Sequence, residues 1–261
     1  MKTISIVNRK GGVGKTRTAL EVSYILATSC GQRVLLVDAD GQGNTTSILL
    51  GNYHGDGLAP LMTGLATCYY SEVIFPTGVA GLDILPASEA LDDMDLEFML
   101  SAGRPTFHAL QDLRDNITED DTYDVIVIDC PPHYSATCIN AIAASDAIII
   151  PTTTDAFSAT GMDGLVKQIE NVRRICPSVR VSGCLVTRYC GDVVDQDALD
   201  ILREDAPVPV FKTVIRESTV KVKGSSWAGM TAQEWSPWCN TSRDYRQFVA
   251  ELIAKEGLCR G

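Results

Sequence analysis

Short apolar runs rich in valine and isoleucine alternate with longer amphipathic segments along the chain. The runs that read as strands are "TISIV" (3–7), "RVLLVD" (33–38), "LDILPA" (82–87), "DVIVID" (124–129), "DAIIIPT" (146–152), "RVSGCLVT" (180–187) and "PVFKTVI" (209–215). Most lack the polar alternation of a sheet with one wet face, so they are expected to be covered on both faces, as parallel strands are. Ala19, Val22, Ile25 and Leu26 recur at helical spacing, as do Tyr245, Phe248, Val249, Leu252 and Ile253, and each set marks the inward stripe of a helix. The alternation predicts an α/β fold: a mostly parallel twisted sheet with helices on both faces, three layers in all. Residues 51–80, with Gly, Pro and Tyr and little periodicity, yield no firm element. No repeat or linker interrupts the pattern, and a single domain over 1–261 is expected.

Composition narrows the function classes. The chain has 261 residues, 45% of them hydrophobic and 21% charged, as in an ordinary globule large enough for one full core. No apolar run reaches the length of a membrane span. The start, "MKTISIVNRKGG", runs directly into a strand, so no signal peptide is expected. The nine cysteines are odd in number and form no C-x-x-C pair, which argues against a disulfide framework, a zinc knuckle or an iron–sulfur cluster and for a reducing cytoplasm. Net charge is 22 − 33 = −11. A nucleic-acid binder is expected to present a basic surface, so any DNA contact must come from a local patch. One window qualifies: in "FKTVIRESTVKVKG" (211–224), Lys212, Arg216, Lys221 and Lys223 face only Glu217 in opposition. A solvated run of charge is the plainer reading of that window.

The most specific chemistry lies in "NRKGGVGKT" (8–16), between a predicted strand and a predicted helix. That is the setting of a phosphate-binding loop, here in the variant form K-G-G-x-G-K-[ST]. Glycines at 11, 12 and 14, with Val13 between, let the backbone turn tightly and aim successive N–H groups at phosphate oxygens, at the positive end of the helix. Lys15 is expected to neutralise the β and γ phosphates, Thr16 to ligate Mg²⁺, and Arg17 to border the nucleotide. A glycine-rich turn without nucleotide is the alternative. Lys10 has no task in its own loop, because Lys15 already serves the phosphates and a second ammonium would be repelled. It is expected to reach outward.

Two acidic strand ends complete the constellation. "LLVDADGQGNTT" (35–46) carries Asp38 and Asp40 at the carboxyl edge of the sheet, where ligands bind in open α/β folds. The two carboxylates can orient a water and share a hydrated Mg²⁺; capping of the following helix is the alternative. "DVIVIDCPP" (124–132) is an apolar strand ending in Asp129, which is placed near the Mg²⁺ hydration shell, and the proline pair then exposes a loop suited to sensing the γ phosphate.

The double-lysine loop resembles the deviant Walker motif of the ParA/MinD family of P-loop ATPases, in which the first lysine crosses into the partner subunit's site. "DADGQGN" resembles that family's "DxDPQGN" switch, with Gly41 where the family usually has Pro. The likeness continues through "LDILPAS" (82–88), "CINAIAASDAIIIPT" (138–152), "GMDGLVKQIENVR" (161–173), "CLVTRY" (184–189) and "VFKTVIRES" (210–218). Gln42, Gly43 and Asn44 favour the partition branch, ParA/Soj-like, over MinD, and the last helix mixes charges in a way that favours core over membrane contact. The resemblance implies a three-layer P-loop NTPase and a slow ATPase using ATP and Mg²⁺. It implies catalytic roles for Lys10, Lys15 and Asp40, and metal contacts at Thr16, Asp40 and Asp129. It places the base near Thr187, Arg188 and Ile215, and DNA contacts at Arg216, Lys221 and Lys223, although "IPRNVRL" of the family reads "IRESTVKV" here. It further implies an ATP-dependent homodimer, nonspecific DNA binding with nucleoid association, a ParB-like partner that triggers hydrolysis, and no membrane. No helix-turn-helix arm is expected ahead of the loop, so the chain is not expected to read an operator by itself. Two alternatives stay open: a MinD-like or other nucleotide-switched positioning adaptor that binds no DNA, and an ATP-dependent biosynthetic ligase.

Overall fold

The computed structural model describes residues 1–63, 69–94, 108–156, 159–218 and 224–258. In chain order the elements are β1 (Lys2–Ile6), α1 (Lys15–Cys30), β2 (Val34–Asp38), α2 (Asn44–Leu50), α3 (Ala59–Thr63), β3 (Phe75–Pro76) and β4 (Leu82–Leu85). There follow α4 (Ala109–Glu119), β5 (Val125–Asp129), α5 (Ala136–Ala143), β6 (Ala147–Thr152), α6 (Ala159–Arg173) and β7 (Val181–Val186). The chain closes with α7 (Val193–Asp205), α8 (Ala232–Trp235) and α9 (Asn240–Glu256).

The strands form one sheet in the order β3-β4-β2-β5-β1-β6-β7. Every pairing is parallel except β3 with β4. Parallel strands need crossovers, and the helices supply them on both faces. Successive strand residues point to opposite sides. Leu35, Val37, Ile126, Ile128, Ile148 and Ile150 accordingly share one core with Leu113, Ile142, Leu165 and Ile169 of α4, α5 and α6. Ile4, Ile6, Leu36, Val127 and Ile149 share the other with Leu20 and Leu26 of α1 and Phe248 and Leu252 of α9. This gives the three layers expected from the uninterrupted apolar strands. The predicted stripes on α1 and α9 face inward, and Phe248 adds an edge-on contact to the Phe211 ring, 4.9 Å between centroids.

Three elements differ from the sequence reading. The short helix α3 and the antiparallel edge strand β3 fall in the stretch that showed no periodicity. The expected strand at 209–215 is not formed. Its backbone runs beside β7 and makes isolated parallel bridges, Cys184 with Val210 and Tyr189 with Arg216. Between them the amides of Lys212 and Thr213 donate instead to the Glu251 carboxylate on α9, at 2.8 and 3.0 Å. The Phe211 and Ile215 amides still reach β7, at 2.9 and 2.8 Å, but a helix side chain has taken the donors between them and the ladder is interrupted.

Candidate active site

β1 lies between β5 and β6, so the loop that leaves its carboxyl end opens over the middle of the sheet. Gly12 and Gly14 sit at φ +77° and +82°, a left-handed backbone that glycine adopts without strain. Gly14 caps α1 with no side-chain acceptor for the first-turn amides, which leaves those donors for a ligand. The cleft they face, about 600 Å³, is lined by the loop glycines, Lys15, Thr16, Asp40, Gln42 and Pro132 among others.

Lys15 is buried and its Nζ lies 3.4 Å from the carbonyl oxygen of Lys10. Burial lowers its pKa, against the attraction of Asp129 and Asp40. Lys10 is exposed, and its backbone amide donates to Asn8 Oδ1 at 3.1 Å. Asn8 in turn anchors the loop to β6 through Pro151 O at 2.6 Å. The two lysines are thus separated in role: one is folded into the loop, the other projects from it.

Register places Asp38 and Asp129 side by side at the ends of β2 and β5. Asp38 is fully buried and consumed by structure: its Oδ2 accepts from the Thr46 amide and hydroxyl at 2.8 and 2.7 Å, and Oδ1 from the Asp40 amide at 3.3 Å. Of the two readings of Asp38, the capping one describes these contacts. Burial, with the charge of Asp129 beside it, pushes its pKa up to about 7. Asp129 accepts the Thr45 hydroxyl on Oδ2 at 2.8 Å, whereas its buried Oδ1 has no hydrogen-bond partner. Burial pushes Asp129 up to about 6, while the hydroxyls of Thr45 and Thr16 and the charge of Lys15 pull it back. An unpartnered carboxylate oxygen beside a hydroxyl fits a divalent cation. Among the described residues no cluster of three or more His, Cys, Asp or Glu could hold a metal alone. Phosphate oxygens and water must complete any coordination, which suits Mg²⁺ accompanying a nucleotide. Asp40 borders the cleft in a turn closed by the Gly43 amide on its carbonyl, at 2.8 Å, and its Oδ1 accepts from the Gln42 amide at 3.2 Å.

A second cleft of about 360 Å³ adjoins the loop, lined in part by Gly12, Gly14, Arg17, Thr187, Arg188 and Ile215. It brings together the residues expected around the base, which lie far apart in sequence. Thr187 is buried and donates to Val13 O at 2.9 Å, with Thr152 O also in reach at 3.1 Å. Arg188 holds φ +55° and faces Glu217 at 3.4 Å. Arg17 lines both clefts and reaches Glu21 at 3.0 Å and Ser226 at 2.6 Å. Glu21, fully buried on α1, also accepts from the backbone amides of Ala232 and Gln233. Sequence reasoning missed Glu21, although a lone acid inside an apolar helical stripe was a usable signal. Thr45 was missed as well and offered none.

The chain is similar to known proteins over nearly its whole length. A protein-family profile, the AAA domain, matches residues 1–180. The chromosome partitioning protein ParA of Caulobacter vibrioides is 32% identical over 261 residues, 98% of this chain and 95% of that protein. The chromosome-partitioning ATPase Soj of Thermus thermophilus is 34% identical over 257 residues, 98% and 96% of the two chains. The chain belongs to the ParA/Soj family of partitioning ATPases. Among solved structures, cobyrinic acid a,c-diamide synthase from Mycobacterium smegmatis with bound ATP analog and magnesium is similar, with TM-score 0.81, 25% identity, and 97% and 94% of the two chains covered.

Within this ParA/Soj-family chain the basic window is less free than its sequence suggests. Arg216 is gripped by the Asp244 carboxylate through Nε at 2.9 Å and a terminal nitrogen at 2.6 Å. Asp244 also accepts the Arg216 amide at 2.9 Å. Lys221 and Lys223 lie outside the described residues. Tyr245, Phe248, Val249 and Leu252 of α9 are buried, so its apolar stripe is core, and no helix among the described residues is long and apolar enough to cross a membrane.

Proposed function

We propose that this partitioning ATPase is a Mg-ATP-driven dimerisation switch that binds nonspecific DNA and is released by hydrolysis, with a basic ParB-like protein as the trigger. The observation that carries the reading is the split between Lys15, buried in its own loop, and Lys10, exposed at the start of that loop. Gly11 to Thr16 would cradle the phosphates, Lys15 would neutralise the β and γ groups, and Lys10 would reach the phosphates held by a second copy of the chain. Thr16, Asp129 and Asp40 would hold Mg²⁺ directly or through water; the ion, when bound, offsets charge on the phosphate oxygens. Asp40 would orient the water whose oxygen bonds to the γ phosphorus as the bond to the ADP oxygen breaks. Turnover by the chain alone is expected to be slow. Arg17, Thr187, Arg188 and Ile215 would frame the base and sugar.

The test is ATP hydrolysis by the Lys15→Ala variant against the unaltered chain, with Mg²⁺ present. Loss of turnover is expected, and a rate equal to the unaltered chain's would remove the reading. One observation favours a second reading, an adaptor that binds no DNA: Arg216 is already neutralised by Asp244, in a chain of net charge −11. ATP-dependent retention on DNA that weakens steeply with salt supports the DNA-bound switch. Absence of retention even at low salt supports the adaptor.

A further inference from the structure

We infer that Asp92 is a positioning residue for the turn that presents Asp40. This rests on the assignment of Asp40 to the attacking water made above. The turn from Asp40 to Gly43 has Gly41 at its second position, and that glycine is buried. A Cβ added there would fall onto the carboxylate of Asp92, which occupies the space directly over the Gly41 backbone. The same carboxylate accepts the Gln42 side-chain amide on Oδ2 at 3.3 Å. At the second position of such a turn, proline would fix φ by itself. Glycine leaves φ free, and the restraint comes from outside the loop.

Asp92 is well placed to supply it. Its amide donates to Glu89 O at 3.0 Å, and its neighbours Leu91 and Met94 are sunk in the core, so the carboxylate stands on an anchored helical turn. The same segment grips the loop a second time. The Ala87 amide donates to Thr46 Oγ1 at 2.9 Å, and that hydroxyl donates to Asp38. The chain after β4 therefore holds the loop at two places, at Gly41–Gln42 through Asp92 and at Thr46 through Ala87. Asp40 lies between Gly41 and Asp38, the residue to which Thr46 is tied.

The experiment combines Asp92→Ala, Asp92→Asn, Gly41→Ala and the Gly41→Ala/Asp92→Ala double variant, all in the full chain. In Asp92→Ala, turnover at saturating Mg-ATP is expected to fall about tenfold, less than the roughly 10²-fold cost of a full 1 Å misplacement. Affinity for a non-hydrolysable ATP analogue should not change, because no phosphate contact is removed. Asp92→Asn keeps the acceptor and the volume and should restore most of the rate. In Gly41→Ala the added Cβ must displace the exposed Asp92 carboxylate from the turn, so the rate should fall to that of Asp92→Ala, and removing the carboxylate in the same chain should add no further loss. Hydrogen exchange at the Gln42 and Gly43 amides, measured without nucleotide, should quicken in Asp92→Ala. Unchanged exchange, additive losses in the double variant, or a rate as low in Asp92→Asn as in Asp92→Ala would overturn the inference. An unaltered chain that failed to hydrolyse ATP would instead sink the ATPase mechanism, and the exchange result would still decide the role of Asp92.

Discussion

The hydroxyl of Thr187, at the end of β7, donates to the carbonyl of Val13 in the glycine loop at 2.9 Å, joining residues 174 positions apart. The loop is thereby braced from the far side of β6, and the same side chain borders the second cleft. Thr187→Val keeps the shape and removes the donor. It is expected to cost about 1 kcal/mol of stability, the usual net worth of one hydrogen bond, and to weaken nucleotide binding. Thr187→Ser should recover both. Thermal unfolding and nucleotide titration of the two variants check this, and a Val variant as stable and as tight-binding as the unaltered chain would deny the brace.

Lys10 and Asp40 should separate dimerisation from hydrolysis. Lys10→Ala leaves Lys15 and the loop amides in place, so nucleotide binding persists and the ATP-dependent dimer is lost. Asp40→Ala spares the phosphate contacts, so the dimer persists and hydrolysis falls by about 10²-fold or more, the range for a positioned base. Sedimentation of each variant with ATP and Mg²⁺ reads the contrast, and equal dimer fractions contradict the division of labour.

Asp38 and Asp129, paired in register, set a pH dependence. Burial is the main cause in both cases, raising Asp38 to about 7 and Asp129 to about 6 from an ordinary 3.8. The folded chain therefore holds protons that the unfolded chain has lost. The stability this pair contributes is full below about pH 4 and is lost as pH rises through 6 and 7. Asp38→Asn cannot ionise, so relative to the unaltered chain its melting temperature should rise between about pH 4 and 7. A difference that stays flat over that interval contradicts the burial of a titrating pair.

The basic window makes a two-part prediction. Lys221→Glu with Lys223→Glu should leave nucleotide binding intact and reduce the slope of log DNA affinity against log salt by roughly 0.9 for each lost phosphate contact. Arg216→Glu should behave differently, because it sets a second carboxylate against the buried Asp244. We expect it to destabilise the fold by about 1–3 kcal/mol, the cost of a lost charged hydrogen bond. Denaturant unfolding separates a folding defect from a binding defect. If Arg216→Glu proves as stable as the unaltered chain, the Asp244 contact is not a structural one.

What the sequence by itself determined were the features that local physics writes into neighbouring residues. Apolar runs covered on both faces set the strands and the layered sheet. The spacing of glycines, Lys15 and Thr16 set the phosphate loop, and the inward stripe of α9 marked that helix as core. Asp38 and Asp129 were legible as strand ends because an acid closing a buried strand breaks the apolar pattern at the sheet edge where ligands bind, and Asp40 follows two residues on. Tertiary structure decided what depends on residues distant along the chain. Asp38 and Asp40 look alike in "DAD", yet Thr46 consumes the first carboxylate and leaves the second at the cleft. Segment 209–215 has the composition of a strand, yet only its Phe211 and Ile215 amides reach β7, and Glu251 of α9 takes those of Lys212 and Thr213. Arg216 reads as a free cation until Asp244 folds against it. Gly41 reads as a loosened turn until the Asp92 carboxylate is found in the space its missing side chain leaves. In each case the competing partner for a charge or a backbone donor comes from another element, and no local pattern records it.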